Sequence, residues 1–316
     1  MSQAAPTFLI IGATGNTGLN LVRTLSRLIQ SSGAYSSHRI LALTRSAQSP
    51  AAQEIAQLPN VRVLQKFWPA ISAEWLRENR VHRAFVASAV APGQFADESG
   101  FLLAALQAGV DYVVRISTTA ANVRPDLEAY YPRQHWAIEA LLSSPEFKGL
   151  KWSSLQPNVF SSFVLGPAVA LVKKYRETGE QEPLRLMPDE NAPCAVIDAA
   201  DVGELAAHLL VEEDISGHNQ SKYVLNGPDN VTGRDIVALA EKAMGTSVTE
   251  VHFKDMGWLD GAAAANPEQA HLLLSIKHAP RTGWEGKTTV ETSSKEVLSF
   301  VAHKRTLAES FKELLE

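Results

Sequence analysis

A single cysteine, Cys194, stands among 316 residues. One thiol excludes an intrachain disulfide framework and a Cys-rich metal site, and it fits a reducing compartment. Surplus basic charge is also missing: 29 Lys and Arg face 34 Asp and Glu, a formal net charge of −5. General nucleic-acid binding needs an excess of cations to neutralise phosphates, so the balance argues against that class. Long hydrophobic runs are absent as well. Stretches such as Phe8–Ile11 and Arg83–Val90 are far short of the ~20 residues of a membrane-spanning helix. The opening Met1-Ser-Gln-Ala-Ala-Pro-Thr7 has neither the basic nor the long apolar region of a secretory leader. The histidines are scattered, and His271 and His278 lack ligand-spaced partners, so no metal is indicated. These features read as a soluble, cytoplasmic protein without a nucleic-acid or membrane partner.

What is present is ordinary globular material, 45% hydrophobic and 20% charged. At roughly 100–200 residues per domain, the length predicts two domains or one with an appendage. Through the first half, short apolar strands alternate with amphipathic helices. Strands are expected at Phe8–Ile11, Arg39–Arg45, Val61–Phe67, Arg83–Val90, Tyr112–Ser117 and Trp152–Leu155. Between them helices are expected at 16–30, 50–58, 72–80, 95–108 and 133–143. Such alternation, with strands apolar on both faces, predicts an α/β fold: a doubly wound parallel sheet with right-handed crossovers. After about residue 158 the alternation fails. A helix near 165–177, a stretch with Pro183, Pro188 and Pro193, a strand at Ala195–Ile197, helix 202–211, strand Lys222–Leu225 and helix 232–244 follow. We expect residues 1–158 to form the main domain, with segments near 194–228 returning to it. Residues 159–316 then form mainly a smaller α/β lobe.

Gly12-Ala-Thr-Gly15-Asn-Thr-Gly18 lies directly between the first strand and the first helix. One glycine permits the tight turn, one admits a pyrophosphate to the backbone, and one lets helix and strand pack closely. The helix start offers unpaired N–H groups to the anion. This strand–turn–helix context makes the string a dinucleotide site, with Gly12, Thr14, Gly15, Asn16, Thr17 and Gly18 as cofactor contacts. Ser88, near the end of the fourth strand, joins them. The second strand ends in Arg45, where an NAD-selective site usually carries an acid for the ribose hydroxyl. The arginine fork suits a 2′-phosphate and points to NADP(H). The polar insertion Ser31–Ser37 explains why Arg45 lies further from Gly12 than the usual ~20 residues.

With these motifs the sequence resembles the NmrA-like family of atypical short-chain dehydrogenases/reductases, in its fungal form. Ile11-Gly-Ala-Thr-Gly-Asn-Thr-Gly18 and Thr44-Arg45 carry the resemblance. Val114-Arg-Ile-Ser117, His135-Trp-Ala-Ile-Glu139, Leu155-Gln-Pro-Asn158 and Ile197-Asp-Ala-Ala-Asp201-Val-Gly203 extend it. It implies a Rossmann core, an NADP(H) site and a C-terminal substrate lobe. It does not imply one activity, since the family holds reductases of C=C, C=O and C=N bonds as well as cofactor-sensing regulators.

Short-chain dehydrogenases generally use Ser, Tyr and Lys, with Tyr and Lys four residues apart on one helical face. The ammonium favours the phenolate and so tunes a group whose ordinary pKa is near 10. Aligned on Glu139, Ser117 and Tyr131 fall at the Ser and Tyr positions, and His135 replaces the lysine. Three readings stay open: proton donation by Tyr131 or His135, hydride transfer without a protein acid, or ligand holding without redox chemistry. Asn158, Phe160, Phe163 and Trp258 are expected in the walls of an apolar substrate pocket. Asp201 reads as a helix N-cap, and Cys194 as buried filler rather than a nucleophile. The leading expectation is an NADPH-dependent reductase of a small, largely apolar substrate. The alternatives are an NADP(H)-sensing regulator and a non-redox isomerase or cyclase. Monomer and homodimer both remain open.

Overall fold

The computed structural model describes residues 5–297 and 304–316; most of the polar lead lies outside them. The elements of the first half are β1 (Thr7–Ile11), α1 (Asn16–Ser31), β2 (Arg39–Thr44), α2 (Pro50–Ile55), β3 (Val61–Gln65), α3 (Ala73–Glu78) and β4 (Val81–Val86). Next come α4 (Gln94–Ala108), β5 (Tyr112–Ile116), α5 (Tyr130–Leu142), β6 (Lys151–Pro157), α6 (Ser161–Thr178), β7 (Leu184–Arg185) and α7 (Ala199–Val211). The last are β8 (Ser221–Leu225), α8 (Gly233–Met244), β9 (Val251–His252), α9 (Trp258–Ala265), α10 (Ala270–Ser275), α11 (Arg281–Trp284) and α12 (Leu307–Leu315).

Seven strands form a parallel sheet in the order β3-β2-β1-β4-β5-β6-β8. Successive side chains on a strand point to opposite faces, and the cores divide accordingly. Phe8, Ile10, Ile40, Ala42, Phe85 and Val114 pack under α1 and α7. Leu9, Ile11, Leu41, Leu43, Val86 and Val113 pack under α3, α4 and α5. Helices α1 and α7 approach so closely that a methyl on Gly203 would lie 2.4 Å from the Thr17 carbonyl oxygen. The strand order reverses between β1 and β4, which opens a crevice at their carboxyl ends. A third apolar cluster lies beyond β6, built from α6, α8 and α12 with the small β7–β9 sheet. Between α6 and α8, the chain returns to the main sheet through α7 and β8.

Several expected elements shift. No ladder strand forms at Ala195–Ile197; only isolated bridges occur, Cys194 with Val231 and Ile197 with Phe160. There the backbone zigzags between different partners: Ala195 N–H bonds the Thr288 carbonyl and Ile197 N–H bonds that of Val159. The fourth strand stops at Val86, and the residues to Val90 enter the crevice loop instead. Helix α7 is capped by Asp198, which accepts from Ala200 N–H at 2.8 Å. Asp201 is not the cap: it is buried in the first turn and accepts from Arg305 N–H at 2.9 Å and Nη1 at 2.7 Å. No described helix is long and apolar enough to cross a membrane. Among the described residues no cluster has the makings of a metal site.

Candidate functional site

The turn after β1 has distinct demands at each glycine. Gly12 has φ +82°, in the left-handed region, and a Cβ there would meet the Ala87 carbonyl oxygen at 2.8 Å. At Gly18 a Cβ would be 2.1 Å from the Gly12 oxygen, so only glycine lets α1 pack against the turn. Gly15 differs. It is exposed at the N-cap of α1, and its nearest obstacle is Gly12 oxygen at 3.3 Å. No side chain caps this helix and no acid occupies its first turn. Free N–H groups and the positive end of a 16-residue helix therefore face open space. This cradle fits a dinucleotide pyrophosphate. Thr14 bonds Thr44 across 3.1 Å and ties the turn to the tip of β2. Thr17 is buried beneath the turn, whereas Asn16 is exposed and faces the cavity. Arg45, one residue past β2, is also exposed, with its fork available to an anion.

From Asn16 a cavity of about 600 Å³ runs past the ends of β4, β5 and β6 to the third cluster. Ser88, Ser117, Tyr131 and His135 line it together. Ser117 directly follows β5; its hydroxyl is buried and lacks a protein partner. A buried orphan donor costs about 1–3 kcal/mol, which a bound group recovers. Tyr131 enters from the first turn of α5, which begins at Tyr130 rather than at Arg133 as expected. Burial pushes its phenol above the ordinary value, while a hydrogen bond with Thr118 pulls it back.

His135 is buried, and its ring meets that of Tyr131 edge-on at 6.4 Å between centroids. Burial, and then the neighbouring Arg115 guanidinium, hold its pKa well below the usual imidazole value. The ring is neutral near pH 7 and supplies no cation to the phenol.

The cavity's far wall is apolar. Phe163 and Trp258, each about half exposed (49% and 50%), meet at 5.8 Å between centroids in an edge-to-face pair. Phe160, the N-cap of α6, is partly buried beside them. Asn158 also borders the cavity, but its amide is committed: Nδ2 donates to the Ala195 and Thr288 carbonyls and Oδ1 accepts from Val159 N–H. It fixes the wall's shape rather than offering a free contact. Cys194 packs against the third apolar cluster and also lines the wall. Burial raises its thiol, so it is no activated nucleophile.

Met187, Met256 and Trp284, which sequence reasoning did not single out, complete this wall. Each looks like a core residue by type; Met256 and Trp284 reach the wall because the segment 256–284 lies against the cavity. That segment is pinned by Asn122, which donates to the Ala279 carbonyl at 3.0 Å and accepts from Thr282 at 2.8 Å.

The model of the NmrA-like family matches residues 5–259, most of the chain. The chain belongs to the NmrA-like family. An NAD(P)H azoreductase of Xenophilus azovorans is 28% identical over 251 residues, covering 77% of this chain and 76% of the relative. A (4-alkanoyl-5-oxo-2,5-dihydrofuran-3-yl)methyl phosphate reductase of Streptomyces griseus is 27% identical over 192 residues, covering 59% of this chain and 61% of that one. Among solved structures, an Escherichia coli NADPH-dependent quinone oxidoreductase complexed with NADPH superposes with a TM-score of 0.72. Its identity is 20%, over 98% of this chain and 100% of the other. A Citrobacter triphenylmethane reductase complexed with NADP(H) gives 0.69 at 16% identity, with 98% and 100% covered. These superpositions establish that this NmrA-like chain has the Rossmann-type fold of those proteins.

Proposed function

We propose that this NmrA-like protein is an NADPH-dependent reductase of a small, largely apolar, conjugated organic substrate. One observation carries the reading: a single cavity joins the mouth of the glycine turn, at Asn16, to Ser117, Tyr131 and an aromatic wall. The azoreductase, quinone oxidoreductase and triphenylmethane reductase among its relatives support it.

In this reading the turn and the N-terminus of α1 hold the pyrophosphate, and Arg45 grips the 2′-phosphate. Ser88 and Ser117 border the nicotinamide end. When bound, NADPH supplies the hydride. Phe160, Phe163 and Trp258 hold the substrate's flat apolar body, and the water excluded there strengthens the polar contacts at Ser117. Tyr131 keeps its proton, because burial raises the phenol and His135 adds no charge. A protonated phenol can give a proton after hydride arrives but cannot readily remove one from an alcohol. The arrangement therefore suits reduction of acceptors that spread incoming charge over a conjugated system.

Residues 1–158, with the segments near 194–228, form the cofactor domain in this proposal, and 159–316 mainly the substrate lobe. We place the protein in the cytoplasm, a reducing setting that suits its single free thiol.

NADPH consumption with a panel of quinones, azo dyes and cationic dyes, beside NADH, tests the reading. Turnover with NADPH and at least one aromatic acceptor is expected. Tight NADPH binding with no turnover favours the second reading, a cofactor sensor, which a histidine at position 135, where short-chain dehydrogenases generally carry lysine, supports.

A further inference from the structure

Behind the cavity wall, α4, β5 and α5 bury a polar group that the reaction as read does not use. Arg115, with no exposed surface, donates from Nε to Glu98 Oε1 at 2.5 Å and from Nη1 to Ser154 at 3.0 Å. Its remaining nitrogen, Nη2, lies 2.8 Å from His135 Nδ1. A guanidinium has no acceptor, so Nδ1 must accept. A neutral imidazole whose Nδ1 accepts carries its proton on Nε2. That Nε2 lies 3.2 Å from the amide of Gln94, which is 3.0 Å from Ser88. An amide NH₂ set against Nε2–H would oppose two donors, so the pairing requires the amide oxygen at this contact. Ser88 then has no donor from Gln94. Its own proton goes to Glu98 Oε2 at 2.7 Å or to the amide oxygen, and its lone pairs are left to the cavity it lines.

We infer that Arg115 is a positioning residue. It fixes His135 as a neutral Nε2–H donor to Gln94, and the ring in the lysine position thereby orders Ser88 as an acceptor for the bound dinucleotide instead of supplying charge or a proton. The orientation of Ser88 toward a dinucleotide rests on the NADP(H) reading of the cavity; the state of the ring does not. The charged and titratable groups packed around the ring are Arg115 from β5, Glu98 from α4, and Glu139 and Tyr131 from its own helix. Glu139 is in turn held by Ser154 at 2.7 Å, Gln156 at 3.1 Å and Lys222 from β8 at 3.3 Å. The carboxylates are thus engaged elsewhere, and the cation nearest the ring is Arg115.

Nitrogen-15 NMR of histidine-labelled protein reads the ring directly, with no cofactor present. The His135 Nδ1 resonance should be that of an unprotonated acceptor, and it should not titrate between about pH 5 and 8. A ring that titrates near its ordinary value, or that carries its proton on Nδ1, would overturn the proposal. Fluorescence titration with NADPH tests the link to the cofactor. His135→Gln keeps an acceptor and a donor without charge, whereas His135→Lys brings an ammonium against Arg115. His135→Gln should bind NADPH at least about tenfold more tightly than His135→Lys. Equal or tighter binding by His135→Lys would overturn the role given to the ring. Should wild type not bind NADPH at all, the cofactor reading fails, and with it the role given to Ser88, while the NMR result still decides whether Arg115 fixes the ring.

Discussion

A methyl added to Gly18 would sit 2.1 Å from the carbonyl oxygen of Gly12, whereas one added to Gly15 would sit 3.3 Å from that same oxygen. The two positions therefore separate folding from binding. Gly18→Ala should destabilise the protein by about 3 kcal/mol through overpacking against backbone that cannot yield. Gly15→Val should fold, since the position is exposed, and lose both NADPH and NADH by filling the pyrophosphate cradle. Thermal unfolding beside cofactor titration checks both. A folded Gly15→Val protein with unchanged titration would remove the turn from the cofactor site.

Arg45 tests cofactor choice. Removing one charge-assisted hydrogen bond to a phosphate costs about 1.5–3 kcal/mol, so Arg45→Ala should weaken NADPH roughly ten- to a hundredfold. NADH should bind nearly as before. Equal losses for both cofactors, measured by titration, would mean that Arg45 does not read the 2′-phosphate.

The shape of the turn and the place of Arg45 past a strand tip were legible because both are set locally, by glycine spacing between a strand and a helix and by the end of β2. The Arg115–Glu98–His135 group was not, because its members come from three elements that only the sheet brings together. Arg115 looked like part of an apolar strand, and nothing at Glu98 marked it as buried. Asp198 and Asp201 illustrate a different limit. Both can cap a helix by type, and Arg305, about a hundred residues further on, decides which one does something else. The strand expected at Ala195–Ile197 had the right apolar residues but no continuous neighbour to pair with.

Tyr131 tests proton supply. With an acceptor that must be protonated at the reacting centre, such as a carbonyl, Tyr131→Phe should lower turnover by about 10²–10⁴-fold, the usual share of a general acid. With a preformed organic cation, which hydride alone completes, turnover should change little. Steady-state rates for the two acceptor types in one variant make the comparison. Equal, small effects on both would return Tyr131 to the cavity wall as packing only.

Acid stability follows from a cluster at the opposite end of the sheet. His38 is buried against Tyr35, His82 and Arg83, and burial with His82 lowers its pKa to about 4. His82 is lowered by burial and Arg83. Above about pH 6.5 the ring is neutral in both folded and unfolded chains and costs nothing. As pH falls from there toward 4, the unfolded chain takes up a proton that the folded one refuses. Stability should drop by about 2–3 kcal/mol from His38 over this window. Urea unfolding at pH 7.5 and 5 should show the loss, and His38→Gln should flatten it. A drop of the same size in His38→Gln would assign the acid sensitivity elsewhere.

Loss of label from NADPH carrying deuterium at C4, followed by mass spectrometry with a quinone or an azo dye as acceptor, reads reductase chemistry most directly. A fixed nicotinamide over one substrate cavity predicts that deuterium leaves from one of the two C4 epimers and stays in the other, with slower turnover for the epimer that loses it. NADPH that binds tightly yet keeps its label in both epimers, whatever acceptor is supplied, would contradict the account and leave a cofactor-binding protein without redox chemistry.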